Sequence, residues 1–194
     1  TPPSPAPRAP LLGAAVVTAE APAAARRTTP PGLGYLAGFA LIYLALHLLY
    51  HAVPDRVLAD VVYRFGINTP AAWLIELLVP GTPVRVEGNS LLAPRVHLEV
   101  VRGCDGSGAF FIACAAMLAF RASWRARLAG VLLSFVTVFV LNEARVVALF
   151  FVVAHRPEWF TPLHTYFIPL VLVAAICAMF TVWARIATRP VAHG

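Results

Sequence analysis

Apolar and polar positions alternate along this chain in three different rhythms. Leu33 to Val53 is apolar over about twenty residues, long enough to cross the hydrocarbon core of a bilayer as a helix. Three more apolar runs fill the second half, Cys104 to Phe120, Leu128 to Ala154 and Leu163 to Ala184, so about four transmembrane helices are expected. Between the first run and the second the pattern changes. Asp55 to Pro80 is interrupted by Asp55, Arg56, Asp60, Arg64 and Glu76, with Gly66 to Pro70 as a break in the middle. That predicts two short amphipathic helices at the outer interface. Thr82 to Glu87 and Arg95 to Val101 then alternate, Val84 and Val86 matching Val96, Leu98 and Val100 across Gly88-Asn89-Ser90 and Pro94. A period of two predicts a β-hairpin or strand pair. Open strand edges are not tolerated in lipid, so the hairpin belongs outside the hydrocarbon or packed on protein. The expected fold is an all-α integral membrane helical bundle with a small extracytoplasmic β-hairpin and interfacial helices.

Composition supports that class. Hydrophobic residues make up 60% of the chain and charged residues 12%, with a mean hydropathy of +0.78, outside the range of a water-soluble domain. The 194 residues leave room for one membrane domain and a tail. Residues 1–31, rich in Pro and Ala, read as a flexible cytoplasmic tail, without the apolar run of a signal peptide. Residues 32–194 read as the membrane domain, with an outer segment at 54–103 and a catalytic core at 100–185. All fifteen basic residues are arginine, against nine acids. Arg26 and Arg27, then Arg121, Arg125 and Arg127, then Arg185 and Arg189 flank the runs, and the positive-inside rule puts each group in the cytoplasm. The +6 balance therefore reflects topology. Without basic stretches interleaved with aromatics it does not point to nucleic acid.

Candidate chemistry gathers at Val100 to Gly108, where the alternation stops, a glycine-rich turn carries Cys104, and an apolar run begins. Thiolate formation is favoured by a helix N-terminus and by nearby cations. A helix starting at Asp105 or Ser107 would supply the first, and Arg102 is a candidate for the second, with Asp105 opposing it. Depth along the spans adds two partners. Cys104 lies seventeen residues before Arg121, Arg145 seventeen after Leu128, and His164 twenty-one before Arg185, or roughly 26, 26 and 31 Å of helix. All three fall near the outer boundary. An ionisable group inside a span faces the bundle or a wet cavity, which makes Arg145 a functional candidate, and Asn142 sits three residues earlier on the same helix face. Plainer roles stand beside these: Arg145 paired with Glu143 or snorkelling to headgroups, and His164 as an interfacial residue. His97 is the rival base, His155 a third choice, and His47 and His51 read as interfacial. Cys114 and Cys177 read as packing residues. No disulfide framework and no metal-ligand spacing follows, and no cofactor is expected.

These residues resemble the exosortase/archaeosortase family of membrane-embedded cysteine transpeptidases. The resemblance rests on Cys104-Asp105-Gly106 after a strand, on Asn142-Glu143-Ala144-Arg145 in the next span, and on His164 opening the one after, and it covers about residues 80 to 185. Many members of that family have about eight spans and a small residue after the cysteine. This chain resembles a short branch, with Asp105 in that place. The resemblance implies a protein of the inner (cytoplasmic) membrane with its active site on the extracytoplasmic side. Its partners would be exported proteins ending in a short motif, a membrane helix and a basic tail, and its setting membrane lipids. Cys104 would attack the scissile carbonyl, His164 would take the thiol proton and return it to the leaving amine, and Arg145 would stabilise the thiolate or the oxyanion, with Arg102, Gly106 and Asn142 in support. An amine acceptor gives transpeptidation and water gives proteolysis. Two other classes remain open: a non-catalytic membrane module that binds a partner's transmembrane helix, and a small transporter using Arg145 and Glu143. No His-Glu-x-x-His occurs, and Gly106-Ser107-Gly108 only superficially resembles a serine nucleophile turn.

Overall fold

The computed structural model describes residues 31–188; the expected tail, save Pro31, and Arg189 lie outside the described residues. The first apolar run forms helix α1 (Pro31–Ala52), whose outward face carries Leu36, Leu41, Leu44 and Leu48, all more than half exposed. An apolar face left open in this way suits lipid rather than water.

The segment expected as two helices is one continuous helical run. It comprises α2 (Asp55–Val57), a π-helical stretch (Leu58–Asn68) and α3 (Thr69–Leu78), with right-handed helical backbone at both junctions. Gly66 to Pro70 does not break it. The Thr69 amide donates five residues back to the Arg64 carbonyl, and the Thr69 hydroxyl donates to the same oxygen at 2.7 Å. Pro70 has no amide to give, and the widened turn makes room for its ring against the preceding carbonyls. Leu58, Tyr63, Ile67, Ala71, Ala72 and Ile75 form the buried stripe. The free face mixes Phe65, Trp73 and Leu77 with Asp60, Arg64 and Glu76, as an interfacial helix does.

The expected hairpin is a three-stranded antiparallel meander, β1 (Arg85–Glu87), β2 (Ser90–Ala93) and β3 (Val96–Glu99). Its middle strand occupies what reads as a connection in the sequence. Leu91 pairs with Val86 on one side and Leu98 on the other and is fully buried. Val96, Leu98 and Val100 face inward with it, while His97 and Glu99 face out. This inner face, the stripe of the interfacial helix, and Val146, Val147, Leu149 and Phe150 make one hydrophobic core.

Those last four residues belong to α5 (Trp124–His155), which at 32 residues is roughly 48 Å long. Its C-terminal half is sheathed by sheet and interfacial helix, so a charged side chain there meets protein instead of lipid. Among the described residues three helices are long and apolar enough to span a membrane: Gly32–Ala52, Trp124–His155 and Pro157–Ala187. The expected fourth span is shorter than the apolar run suggests. Helix α4 (Ser107–Ala119) has 13 residues, about 20 Å, because the turn at 103–106 takes the start of the run. It lies against α1, α5 and α7 (Ile168–Ala187) and is shielded by them. Ser123 caps α5 by accepting from the Ala126 amide. Nearby, α4, α5 and α7 approach so closely at Gly130 that a Cβ there would stand 2.7 Å from both Met117 Sδ and Trp183 Cε2. Between α5 and α7 the chain forms a 3-10 turn (Pro157–Trp159), a short α6 (Phe160–Pro162) and a π-helical turn (Leu163–Phe167).

Candidate active site

The turn between β3 and α4 is built by two glycines and an aspartate. The Cys104 amide donates to the Val101 carbonyl at 2.9 Å. Gly103 and Gly106 have φ of 83° and 79°, a left-handed backbone that side chains disfavour. Gly106 is the cap residue and α4 begins at Ser107, one of the two expected starts. Asp105 instead acts one position earlier, its Oδ1 accepting from the Ser107 amide at 3.2 Å and the Ser107 hydroxyl at 2.7 Å. Gly106 is also pressed on α5. A Cβ there would lie 3.1 Å from Val138 Cγ1 and 3.3 Å from both Asn142 Cγ and Oδ1. Asn142 thus packs beneath the turn; it is 3% exposed and its Oδ1 has no partner.

Cys104, Arg145 and His164 meet on the other side of the turn. Cys104 Sγ is 3.5 Å from His164 Nε2, Arg145 Nη2 donates to His164 Nδ1 at 3.3 Å, and Arg145 Nη1 donates to the Cys104 carbonyl at 3.4 Å. Phe160 stacks on the imidazole with ring centres 5.1 Å apart and planes 13° off parallel, which fixes the ring's orientation. A guanidinium only donates, so a neutral His164 in this arrangement carries its hydrogen on Nε2, facing the sulfur. The three side chains line a cleft of about 30 Å³ with Glu99 at its rim. Arg145 is 8% exposed and makes no ion pair with Glu143 among the described residues. Glu143 is itself buried, and neither of its oxygens has a partner.

Arg102 spends its donors on groups other than the sulfur. Its guanidinium donates to the Tyr50 carbonyl at 2.8 Å, the Val53 carbonyl at 2.6 Å and Asp55 Oδ1 at 2.8 Å, and the carboxylate raises the arginine's pKa further. Two residues before Cys104, it ties the turn to the end of α1. Tyr50 completes that tie. Its hydroxyl donates to Asp105 Oδ2 and lies 3.0 Å from the Tyr63 hydroxyl. An aromatic at the end of a span is ordinary in sequence, so nothing marked Tyr50 as the partner of Asp105.

The other histidines stand apart. His97 is exposed on the outer face of β3, and His155 Nδ1 donates to the Phe151 carbonyl at 3.0 Å. His47 and His51 lie next to each other along α1 with ring planes tilted by 60°, and among the described residues no three His, Cys, Asp or Glu side chains are grouped as metal ligands. Cys114 is buried in α4 and Cys177 is exposed on α7.

The family model described as transmembrane exosortase (Exosortase_EpsH) matches residues 36–182. The chain belongs to the exosortase family. The match runs from inside α1 to inside α7, so α1 and the interfacial helix are part of the exosortase domain, beyond the 80–185 that its motifs cover. No curated protein and no solved structure matches the chain. Membership, together with the apolar helices, makes it a multi-pass membrane protein and supports a role of the membrane transpeptidase type in general.

Proposed function

We propose that this exosortase cleaves a C-terminal sorting signal from exported proteins through an acyl-enzyme on Cys104. Its substrates would carry a short motif, a membrane helix and a basic tail. The enzyme would sit in the cytoplasmic membrane with the cleft facing outward. The observation that carries this reading is the joint contact of Cys104, His164 and Arg145 in one cleft at the outer end of the bundle.

The resting contacts suggest the order of events. Arg145 holds Nδ1 as an acceptor, so Nε2 already carries the ring's hydrogen and has no lone pair with which to take the Cys104 proton. A substrate carbonyl entering the cleft offers Arg145 a developing oxyanion as a better partner. As the guanidinium moves to it, the imidazole is free to shift its hydrogen to Nδ1 and take the Cys104 proton at Nε2. Sulfur bonds to the carbonyl carbon. The imidazolium then gives its proton to the amine nitrogen, the C–N bond breaks, and a thioester remains on Cys104. An amine acceptor attacking the thioester gives transpeptidation, and water gives hydrolysis.

The test is cleavage in cells of co-expressed substrates bearing a motif, a span and an arginine-rich tail. Cys104→Ala, Arg145→Ala and His164→Ala should each abolish processing while remaining in the membrane at wild-type levels. Cleavage by Cys104→Ala at the wild-type rate would remove the acyl-enzyme and favour a module that only binds the partner's helix.

A further inference from the structure

The residue after the proposed nucleophile is an acid, and a carboxylate close to a thiol opposes thiolate formation. Asp105 nevertheless does not line the cleft that holds Cys104; it lines the large apolar cavity on the opposite side of the turn. Both of its oxygens are engaged, Oδ1 by the Ser107 amide and hydroxyl and Oδ2 by the Tyr50 hydroxyl. Tyr50 has one proton to give, so Tyr63 donates to Tyr50, and a chain of donors runs from the interfacial helix through α1 to the turn. Burial pushes the Tyr63 phenol above its ordinary range, keeping it a donor. Arg102 pins the other end of Tyr50, lying 5.0 Å over its ring and bonding its carbonyl.

We infer that Tyr50 is a positioning residue for Cys104: it draws the Asp105 carboxylate toward α1 and spreads its charge, leaving the thiol to Arg145 and His164. The inference rests on Cys104 being the nucleophile, but its readout is the thiol itself and needs no substrate. The remaining ionisable groups near the sulfur are accounted for. His164 and Arg145 approach from the two following helices, and Glu99 comes from β3, its carboxylate accepting from Asn89 Nδ2 at 2.8 Å. Arg102 is turned away to Asp55.

The experiment is the pH profile of iodoacetamide alkylation of the full chain in detergent. A Cys177→Ala background removes the exposed thiol, and Cys104→Ala serves as the blank. Tyr50→Phe should move the midpoint up by about 0.5–1 pH unit, because a less compensated carboxylate then stands beside the thiolate. Asp105→Asn should move it down, and the double variant should titrate with Asp105→Asn. A merely structural role for Tyr50 would slow alkylation at every pH without moving the midpoint. A Tyr50→Phe midpoint equal to wild type, or a shift that Asp105→Asn fails to reverse, overturns the inference. The expected shifts alongside failed substrate cleavage would count against the proposed function and leave this assignment standing.

Discussion

Two cavities flank the turn at 103–107, and they differ in nearly every respect. The one holding Cys104, Arg145 and His164 has a volume of about 30 Å³, close to the share of a single water in the liquid. The other, of about 410 Å³, is walled by Phe110, Phe111, Phe135, Phe139 and Val138. In the small cleft the polar groups contact one another directly. On the large side Tyr50, Asp105 and Ser107 spend their hydrogen bonds on each other. The turn backbone is the wall between the two. In the proposed reaction the groups on one side act on a substrate, and those on the other hold the wall still.

The largest effects should come from the small side. Arg145→Lys keeps the charge but loses the fork that reaches both the His164 ring and the Cys104 carbonyl. A lysine supplies a point charge on a flexible stem, so cleavage should fall by about 10²–10³-fold, the usual range for losing one oriented donor to an oxyanion. Initial cleavage rates in membranes check this, and a loss under tenfold would mean that charge alone suffices.

Substitutions in the wall itself should come next, and the two glycines separate two costs. Gly103→Ala meets only the left-handed backbone, since nothing lies within 4 Å of its Cβ position, and should cost about 1 kcal/mol. Gly106→Ala meets the same backbone penalty plus the contacts with Val138 and Asn142, and should cost about 2–3 kcal/mol. Adding Val138→Ala should recover the steric part alone. Melting temperatures in detergent rank the three, and equal values for the two single variants would remove α5 as the support beneath the turn.

Much of this was legible because each feature depended on one local variable. Apolar length set the long helices, and counting residues from the basic loops put Cys104, Arg145 and His164 at one depth before any contact was known. What stayed hidden depended on direction or on distant partners. Leu91-Leu92 carries no alternation, so β2 is recognisable only once Leu98 and Val86 pair with Leu91. Arg102 is two residues from Cys104 in sequence, yet its side chain points to Asp55, 47 residues away. Pro70 signals a break in any sequence reading, and the π-helical turn before it is the local adjustment that absorbs the signal.

The smallest predicted effect concerns Glu143, which lies between Asn142 beneath the wall and Arg145 in the cleft but takes part in neither arrangement. It is 4% exposed and both of its oxygens lack partners. Burying a carboxyl without a compensating donor is unfavourable, and replacing such a group by a neutral one of similar shape is often neutral or stabilising. Glu143→Gln should therefore leave the melting temperature equal to wild type or raise it, by an amount equivalent to about 1 kcal/mol, and should leave cleavage within a few-fold. The contrast with Arg145, two residues along the same helix, is the sharper use of this variant. If Glu143→Gln were to lower activity as far as Arg145→Lys does, the carboxyl would have to belong to the cleft's chemistry, and the separation of the two sides of the turn would fail at α5.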